Sequence, residues 1–401
     1  MTVQTTKTFG GVHPETALAR NLLEESGVRN PLTGQPFSEA MLLGIGGGIG
    51  AGYFLMEGWG MVGIAIGARH EWQANKVFYE GLFSRLGIEI DIKETAGVKA
   101  ADKNLRQALD EGKSAVAWVD MACLPHKFMP AALKKYYLHI VGVRGLNDEG
   151  QVLLDDRAPT PFLISMETLT EARMTITSAK NRLLTVRSVP EAINVEEAIR
   201  AGIRACWRNL FEPKIKNFGV AAWEKWADLL VNKKDKKSWP NVYVQDAHLW
   251  HAQRQLYAYI RTMGTGGTFL RGLYADFLEE ASAALAQPEL NEIAELYRDL
   301  GTLWTQFADA LLPDEHPEFR EIKDLLERKN RLYEERGAEA LPELGQLAAE
   351  LDRRQAEIES DYPLHDSERK GAFFHSLHDH VTRIAEKERY AITQIRDLFP
   401  Q

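Results

Sequence analysis

The sequence predicts an α+β domain followed by an all-helical domain, and three observations carry that prediction. Extended runs rich in β-branched residues stand at 88–92, 115–121, 136–144, 151–155 and 182–189, among helical stretches. Beyond Val189-Pro190 the pattern changes to an almost unbroken series of segments with 3.6-residue apolar periodicity. A chain of 401 residues is long enough for two or three domains with sizeable cores. The expected domains are 1–190 and 191–401.

Taken in order, 17–25 and 75–86 read as amphipathic helices, and 38–43 as a helix leading into a glycine-rich run. Asn147-Asp148-Glu149-Gly150 is a turn between two extended runs, so 136–156 is expected to be a β-hairpin. On its first strand the alternation puts His139, Val141 and Val143 on one face, and Ile140 and Gly142 on the other. The helical half is expected at 195–210, 220–230, 244–261, 268–286, 290–312, 318–335, 341–360 and 368–398. Heptad-like spacing at 322–332 packs the bundle, with a homodimer seam as the alternative.

Composition excludes several classes. Hydrophobic content of 45% and charged content of 26% are those of a soluble globular protein. A net charge of -9 argues against nucleic-acid binding, which needs a basic surface to displace phosphate counterions. With only Cys123 and Cys206, neither a disulfide framework nor a four-cysteine zinc site can form, and a reducing cytoplasm fits best. The start, Met1-Thr2-Val3-Gln4-Thr5-Thr6-Lys7-Thr8, lacks the apolar core of a signal peptide.

Residues 41–68 are long enough to cross a bilayer with a single charge, Glu57, but ten of these 28 residues are glycine. Each glycine costs a helix about 1 kcal/mol relative to alanine. A buried glycine-rich loop with flanking core segments is the expectation, and no membrane contact. Gly46-Gly47-Gly48-Ile49-Gly50-Ala51 matches the dinucleotide fingerprint in form only, because a helix rather than a strand precedes it. His248 and His251, or His375, His378 and Asp379, share helix faces without a repeated Glu-x-x-His pair, so no metal or other cofactor is expected. Asn232-Lys233-Lys234-Asp235-Lys236-Lys237-Ser238-Trp239 is a basic patch on an acidic chain, suited either to solvation or to docking an acidic carrier protein or a phosphate-bearing ligand.

One constellation points to chemistry. His139 on a strand, followed by Asp155 and Asp156 on the next, has the form of a base and its orienting acid. The alternative is a core histidine satisfied beside a hairpin acid. Near the start, Gly11-Val12-His13-Pro14-Glu15-Thr16-Ala17-Leu18 opens a helix.

Several stretches carry a family resemblance. They are His13-Pro14-Glu15-Thr16-Ala17-Leu18 with Asn21-Leu22-Leu23, and Ser38-Glu39-Ala40-Met41 leading into Gly44-Ile45-Gly46-Gly47-Gly48. Trp118-Val119-Asp120-Met121 with Leu124-Pro125, His139-Ile140-Val141-Gly142-Val143 and Leu154-Asp155-Asp156-Arg157 continue the series. Together they resemble the N-terminal domain of the butirosin biosynthesis protein H-like family. The later half, through Gly264-Thr265-Gly266-Gly267-Thr268-Phe269-Leu270-Arg271, resembles the helical domain of unknown function that follows it.

The resemblance implies a papain-like, cysteine-peptidase-related fold used for acyl transfer in antibiotic biosynthesis. In the butirosin case an aminoacyl group moves from a carrier-protein thioester to an amine. It implies His139 as base and Asp156, before Arg157, as orienting acid, with Asp155 the other candidate. The family nucleophile follows the histidine matching His13, so Pro14 stands where a cysteine is expected. Proline offers neither a thiolate nor a backbone N–H, yet it is at home in a first helical turn. Cys123 is the candidate for a relocated nucleophile, while Thr16 fits a helix cap better than chemistry. His13, Glu15, Glu39, Asp120 and Arg271 are the candidate substrate-binding residues, Glu39 and Asp120 because they match recurring acids. The expected partners are an acyl carrier protein or other acyl thioester and a small amine. The rival expectations are a catalytically inactive binding or scaffold homologue, and an amide hydrolase or cyclase.

Overall fold

The computed structural model describes residues 8–58, 61–69 and 75–400. In chain order the elements are α1 (Pro14–Glu25), α2 (Glu39–Ile45), β1 (Gly52–Gly58), β2 (Met61–Gly67), α3 (Asn75–Arg85), β3 (Glu89–Lys93) and α4 (Val98–Asp110). There follow β4 (Ala115–Asp120), β5 (Leu138–Leu146), β6 (Val152–Asp155), β7 (Phe162–Ile164), α5 (Met166–Thr175) and β8 (Leu183–Ser188). The remainder is helical: α6 (Val195–Phe211), α7 (Val220–Val231), α8 (Trp239–Val242), α9 (Asp246–Arg261), α10 (Arg271–Leu285), α11 (Glu289–Leu311), α12 (Pro317–Arg336), α13 (Leu341–Ser360) and α14 (Ser367–Leu398). The chain is thus mixed α/β, with strands toward its N-terminus and helices beyond.

Contacts divide it into two compact units, and neither is one continuous stretch. The first comprises Met1–Leu42, Asn75–Val195 and Arg331–Ala348; the second comprises Leu43–Ala74, Glu196–Asn330 and Ala349–Gln401.

The first unit is built on a six-stranded antiparallel sheet in the order β3-β8-β4-β5-β6-β7. Its β4 reads Ala-Val-Ala-Trp-Val-Asp and is buried at every position, as a strand covered on both faces must be. On one face Trp118 meets Tyr79 of α3, and α1 lies on β5. There Gly142 is required: a Cβ at that position would fall 2.8 Å from Leu18 Cδ2. On the other face Ala117, Val119, Val141, Val143, Leu154 and Phe162 form one core with Leu105 of α4 and Leu169 of α5. Tyr333 from the end of α12, Ala340 from the turn after it and Leu344 from the start of α13 belong to that same core.

The expected hairpin is present, with Gly142 opposite Asp155 and Val143 opposite Leu154. Within this unit three elements escaped the sequence reading. α4 turns only Ala101, Leu105 and Ala108 inward, which is a sparse apolar signal. α5 opens on the Ser165 side chain accepting from Thr168 N–H, and β7 is three residues long.

In the second unit α7, α9, α10, α11 and α14 pack together around Trp223, Trp226, Trp304 and Phe307. The run at 41–68 contains the expected glycine-rich loop, but the segment after it is the antiparallel hairpin β1–β2. Its glycines had hidden the two-residue alternation of a strand. Tyr53 of β1 stacks on Trp226 with ring centroids 5.2 Å apart. In the loop, Gly48 has φ +68° and faces Cys206, where a Cβ would come within 2.7 Å of Sγ. α10 begins at Arg271 rather than at 268, because Phe269 and Leu270 take left-handed backbone conformations. No helix among the described residues is long and apolar enough to cross a membrane.

Candidate functional site

The pleat decides between the two adjacent aspartates. Val143 pairs with Leu154, so the face carrying His139, Val141 and Val143 also takes position 156, whereas Asp155 lies opposite Gly142 and looks toward α1. Accordingly His139 Nε2 lies 2.9 Å from Asp156 Oδ1. Asp155 Oδ2 instead accepts from Asn21 Nδ2 at 2.8 Å. Burial pushes the Asp155 carboxyl up to about 6, against Asn21 and Arg144, which pull it down.

Asp156 is fully buried, and more than His139 converges on it. His126, in the short turn Pro125–Lys127, approaches Oδ2 with Nε2 at 2.8 Å, and Lys127 Nζ reaches the same oxygen at 2.7 Å. Burial alone would raise this carboxyl, but the Lys127 ammonium, His139 and the bond from His126 hold it well below the usual carboxylate range. Burial also drives His126 down to about 4, despite Asp156, so its imidazole is neutral. The His126–Asp156 contact is therefore a hydrogen bond to an anion, while Lys127–Asp156 is the ion pair. His126 stacks on Phe162 at 4.0 Å between centroids, and its buried Nδ1 meets no hydrogen-bond partner among the described residues.

An ionised carboxylate only accepts, so the hydrogen of the His139–Asp156 bond sits on Nε2. When neutral, His139 then carries its lone pair on Nδ1. That atom makes no hydrogen bond among the described residues. The arrangement is an imidazole held to a buried acid through Nε2, with Nδ1 unbonded among the described residues.

The start of α1 is tied to Arg157, the residue after this acid. Gly11 N–H donates to Arg157 O at 3.1 Å, and Arg157 Nη1 donates to Val12 O at 3.1 Å. Arg157, next to Asp156, is itself left-handed at φ 64°, a strained state of the sort found at functional sites. Pro14 is the first residue of α1 and follows His13, whose side chain makes no cap. The Glu39 carboxylate occupies this helix start: it accepts from Val12 N–H at 2.8 Å, His13 N–H at 3.0 Å and Thr16 Oγ1 at 2.8 Å, with Arg20 Nη1 at 3.4 Å. It serves the anion-favouring end of the helix as a cap would. His13 Nε2 lies 2.5 Å from Glu15 Oε2, and both residues are buried.

The other candidates lie apart from this arrangement in their bonding. Asp120 accepts from Ala122 N–H at 3.0 Å and from Lys135 N–H, which closes the loop after β4. Cys123 belongs to the core under the sheet, 3.6 Å from Thr175 Oγ1, and burial pushes its thiol up, away from thiolate character. Arg271 is in the second unit, fully buried. Its Nη2 meets both oxygens of Glu388 at 2.6 and 2.8 Å and Gly50 O at 2.8 Å, while Nη1 donates to Phe269 O at 2.9 Å. Sequence reasoning had not assigned roles to His126, Lys127 or Tyr333. The dipeptide His126-Lys127 after Leu124-Pro125 reads as an ordinary turn, and Tyr333 stands 177 positions from Asp156.

Two family models match the chain in succession. Residues 13–157 match the family described as butirosin biosynthesis protein H, N-terminal. Residues 167–341 match a domain of unknown function (DUF4872). No curated protein matches the chain.

Proposed function

Because the chain belongs to the butirosin biosynthesis protein H-like family, we propose that it transfers an acyl group from a thioester to an amine, with His139 as general base and no covalent enzyme intermediate. The observation that carries this reading is His139 held to Asp156 through Nε2 with Nδ1 open. In the proposed step the acceptor amine nitrogen attacks the thioester carbonyl. His139 Nδ1 takes the amine proton as the C–N bond forms. The C–S bond then breaks, and the leaving thiolate receives the proton back from the imidazolium. Thioesters are activated toward amines, so the enzyme nucleophile is dispensable. Positioned general-base help is worth roughly 10²–10⁴-fold. The proposed donor is a carrier-protein or coenzyme A thioester, and the proposed fold relationship is papain-like.

One observation favours a second reading, a homologue that binds without turnover. Pro14 has no N–H, and the amides of Val12 and His13 already serve Glu39, so none of the three offers a free donor to an oxyanion. A single experiment separates the readings. Aminolysis of a small acyl thioester is followed by mass spectrometry with the native chain and with His139→Ala. Transfer that falls roughly 10²–10⁴-fold in the variant, with no acyl adduct on the native protein, supports the transferase. Thioester binding with no product, equal in both proteins, supports the binding homologue. An adduct on the native protein refutes the non-covalent step.

A further inference from the structure

Asp156 sits just beyond the end of β6, followed by a strained Arg157, so the strand ladder alone does not fix its carboxylate. What fixes it comes partly from elsewhere in the chain. Tyr333, in the last turns of α12, donates its hydroxyl hydrogen to the main-chain oxygen of Asp156 at 2.6 Å. The same hydroxyl oxygen accepts from Lys127 Nζ at 2.9 Å, and Lys127 in turn holds Asp156 Oδ2. Arg157 lies over the Tyr333 ring at 5.5 Å and bonds Glu334 at 3.2 Å. Tyr333 is therefore bonded both to the acid's backbone and to its counter-ion.

We propose that Lys127 and Tyr333 are positioning residues for the His139–Asp156 pair, so that a segment of the helical half, Arg331–Ala348, is a working part of the site. The reason is electrostatic. A carboxylate buried without a counter-charge favours its protonated form, whose added O–H competes with the imidazole donors facing its two oxygens and weakens both as acceptors. Three groups donate to the Asp156 carboxylate. His126 is neutral and brings no charge, and any charge on His139 comes and goes with catalysis. Lys127, whose ammonium burial pulls down and Asp156 holds up, takes no part in the proposed proton transfer, and Tyr333 aims it. Lys127 lies mostly inside the unit, with its ammonium 4.6 Å from the centre of the Tyr333 ring, so losing the hydroxyl leaves it free to swing away from Oδ2.

The inference rests on the reading of His139 as the acting base, and its test is independent of any substrate. In the full-length chain labelled with 15N-histidine, the His139 Nε2 hydrogen held against a buried carboxylate gives a protected imidazole signal, assigned by its disappearance in His139→Gln. Tyr333→Phe, which keeps the ring and its stacking, and Lys127→Met should each speed exchange of that hydrogen on the order of tenfold, the loss expected when a charged hydrogen-bond network is loosened. Lys127→Arg should restore protection. Exchange unchanged in both Tyr333→Phe and Lys127→Met, while Asp156→Asn abolishes the signal, would overturn the positioning role and leave the dyad intact. A signal unaffected by Asp156→Asn would instead remove the dyad, and with it both the base and its positioning pair.

Discussion

Asp156 in the sheet-bearing unit and Glu388 in the helical unit are both fully buried carboxylates, yet their partners differ in kind. Glu388 faces the Arg271 guanidinium in a fork, with Trp223 Nε1 at 2.8 Å and the rings of Phe269 and Trp304 over the cation at 5.2 and 5.4 Å. Those donors are permanent, because proteins do not deprotonate guanidinium or indole. Asp156 faces two imidazoles and an ammonium, and one of those imidazoles keeps a nitrogen open. A closed pair of fixed charges holds a fold. A carboxylate wired to a titratable ring with an open atom is equipped to move a proton. The contrast explains why the Gly264–Arg271 stretch, the most specific part of the resemblance in the helical half, is structural here: it seats a buried ion pair.

The largest effect expected from breaking this contrast is in the closed pair. Arg271→Met leaves Glu388 buried without its cation and should cost about 3–5 kcal/mol in urea unfolding. A cost below about 1 kcal/mol would mean that the pair does not anchor the helical unit. Next comes Asp155, whose carboxyl is raised from the ordinary 3.8 to about 6. Between those values the folded chain keeps a proton that the unfolded chain has lost. Its contribution is complete below 3.8 and fades as pH rises to about 6, a loss on the order of 3 kcal/mol. Asp155→Asn should flatten that decline when unfolding midpoints are compared at pH 4 and pH 7; an unaltered slope would contradict the placement of Asp155 against α1. The smallest effect belongs to Cys123. Cys123→Ala should cost about 1 kcal/mol and leave any acyl transfer unchanged, and the native thiol should resist iodoacetamide. Rapid labelling there would revive the relocated nucleophile.

Much of the architecture was legible because it follows from local periodicity. The expected helix 290–312 is α11, Glu289–Leu311, since Ile293, Ala294, Tyr297, Leu300 and Trp304 recur on one buried face. The strand carrying His139 was legible from β-branching, and its hairpin from the turn at Asn147–Gly150. Spacing left open which aspartate His139 meets, while the resemblance favoured Asp156; register brings Asp156 to His139, a tertiary property that the two-residue alternation converts into opposite faces. β1 and β2 were illegible because glycine erases alternation. His126, Lys127 and Tyr333 were illegible for a different reason: each is unremarkable locally, and their convergence depends on contacts such as the 177-position span from Tyr333 to Asp156.

The non-contiguity of the first unit bears on how the protein is made. Its sheet strands have all been synthesised by Ser188, yet Tyr333, Ala340 and Leu344, which belong to the core beneath them, come much later. From Val195 to Ala348 the ribosome adds 153 residues (348 − 195), which at ordinary elongation rates takes roughly 8–30 s. For that interval the apolar face of the nascent sheet is covered only in part, by α4 and α5, and the acid lacks Tyr333, a window in which a holding chaperone has something to hold. A fragment ended near residue 195 would remain in that condition permanently.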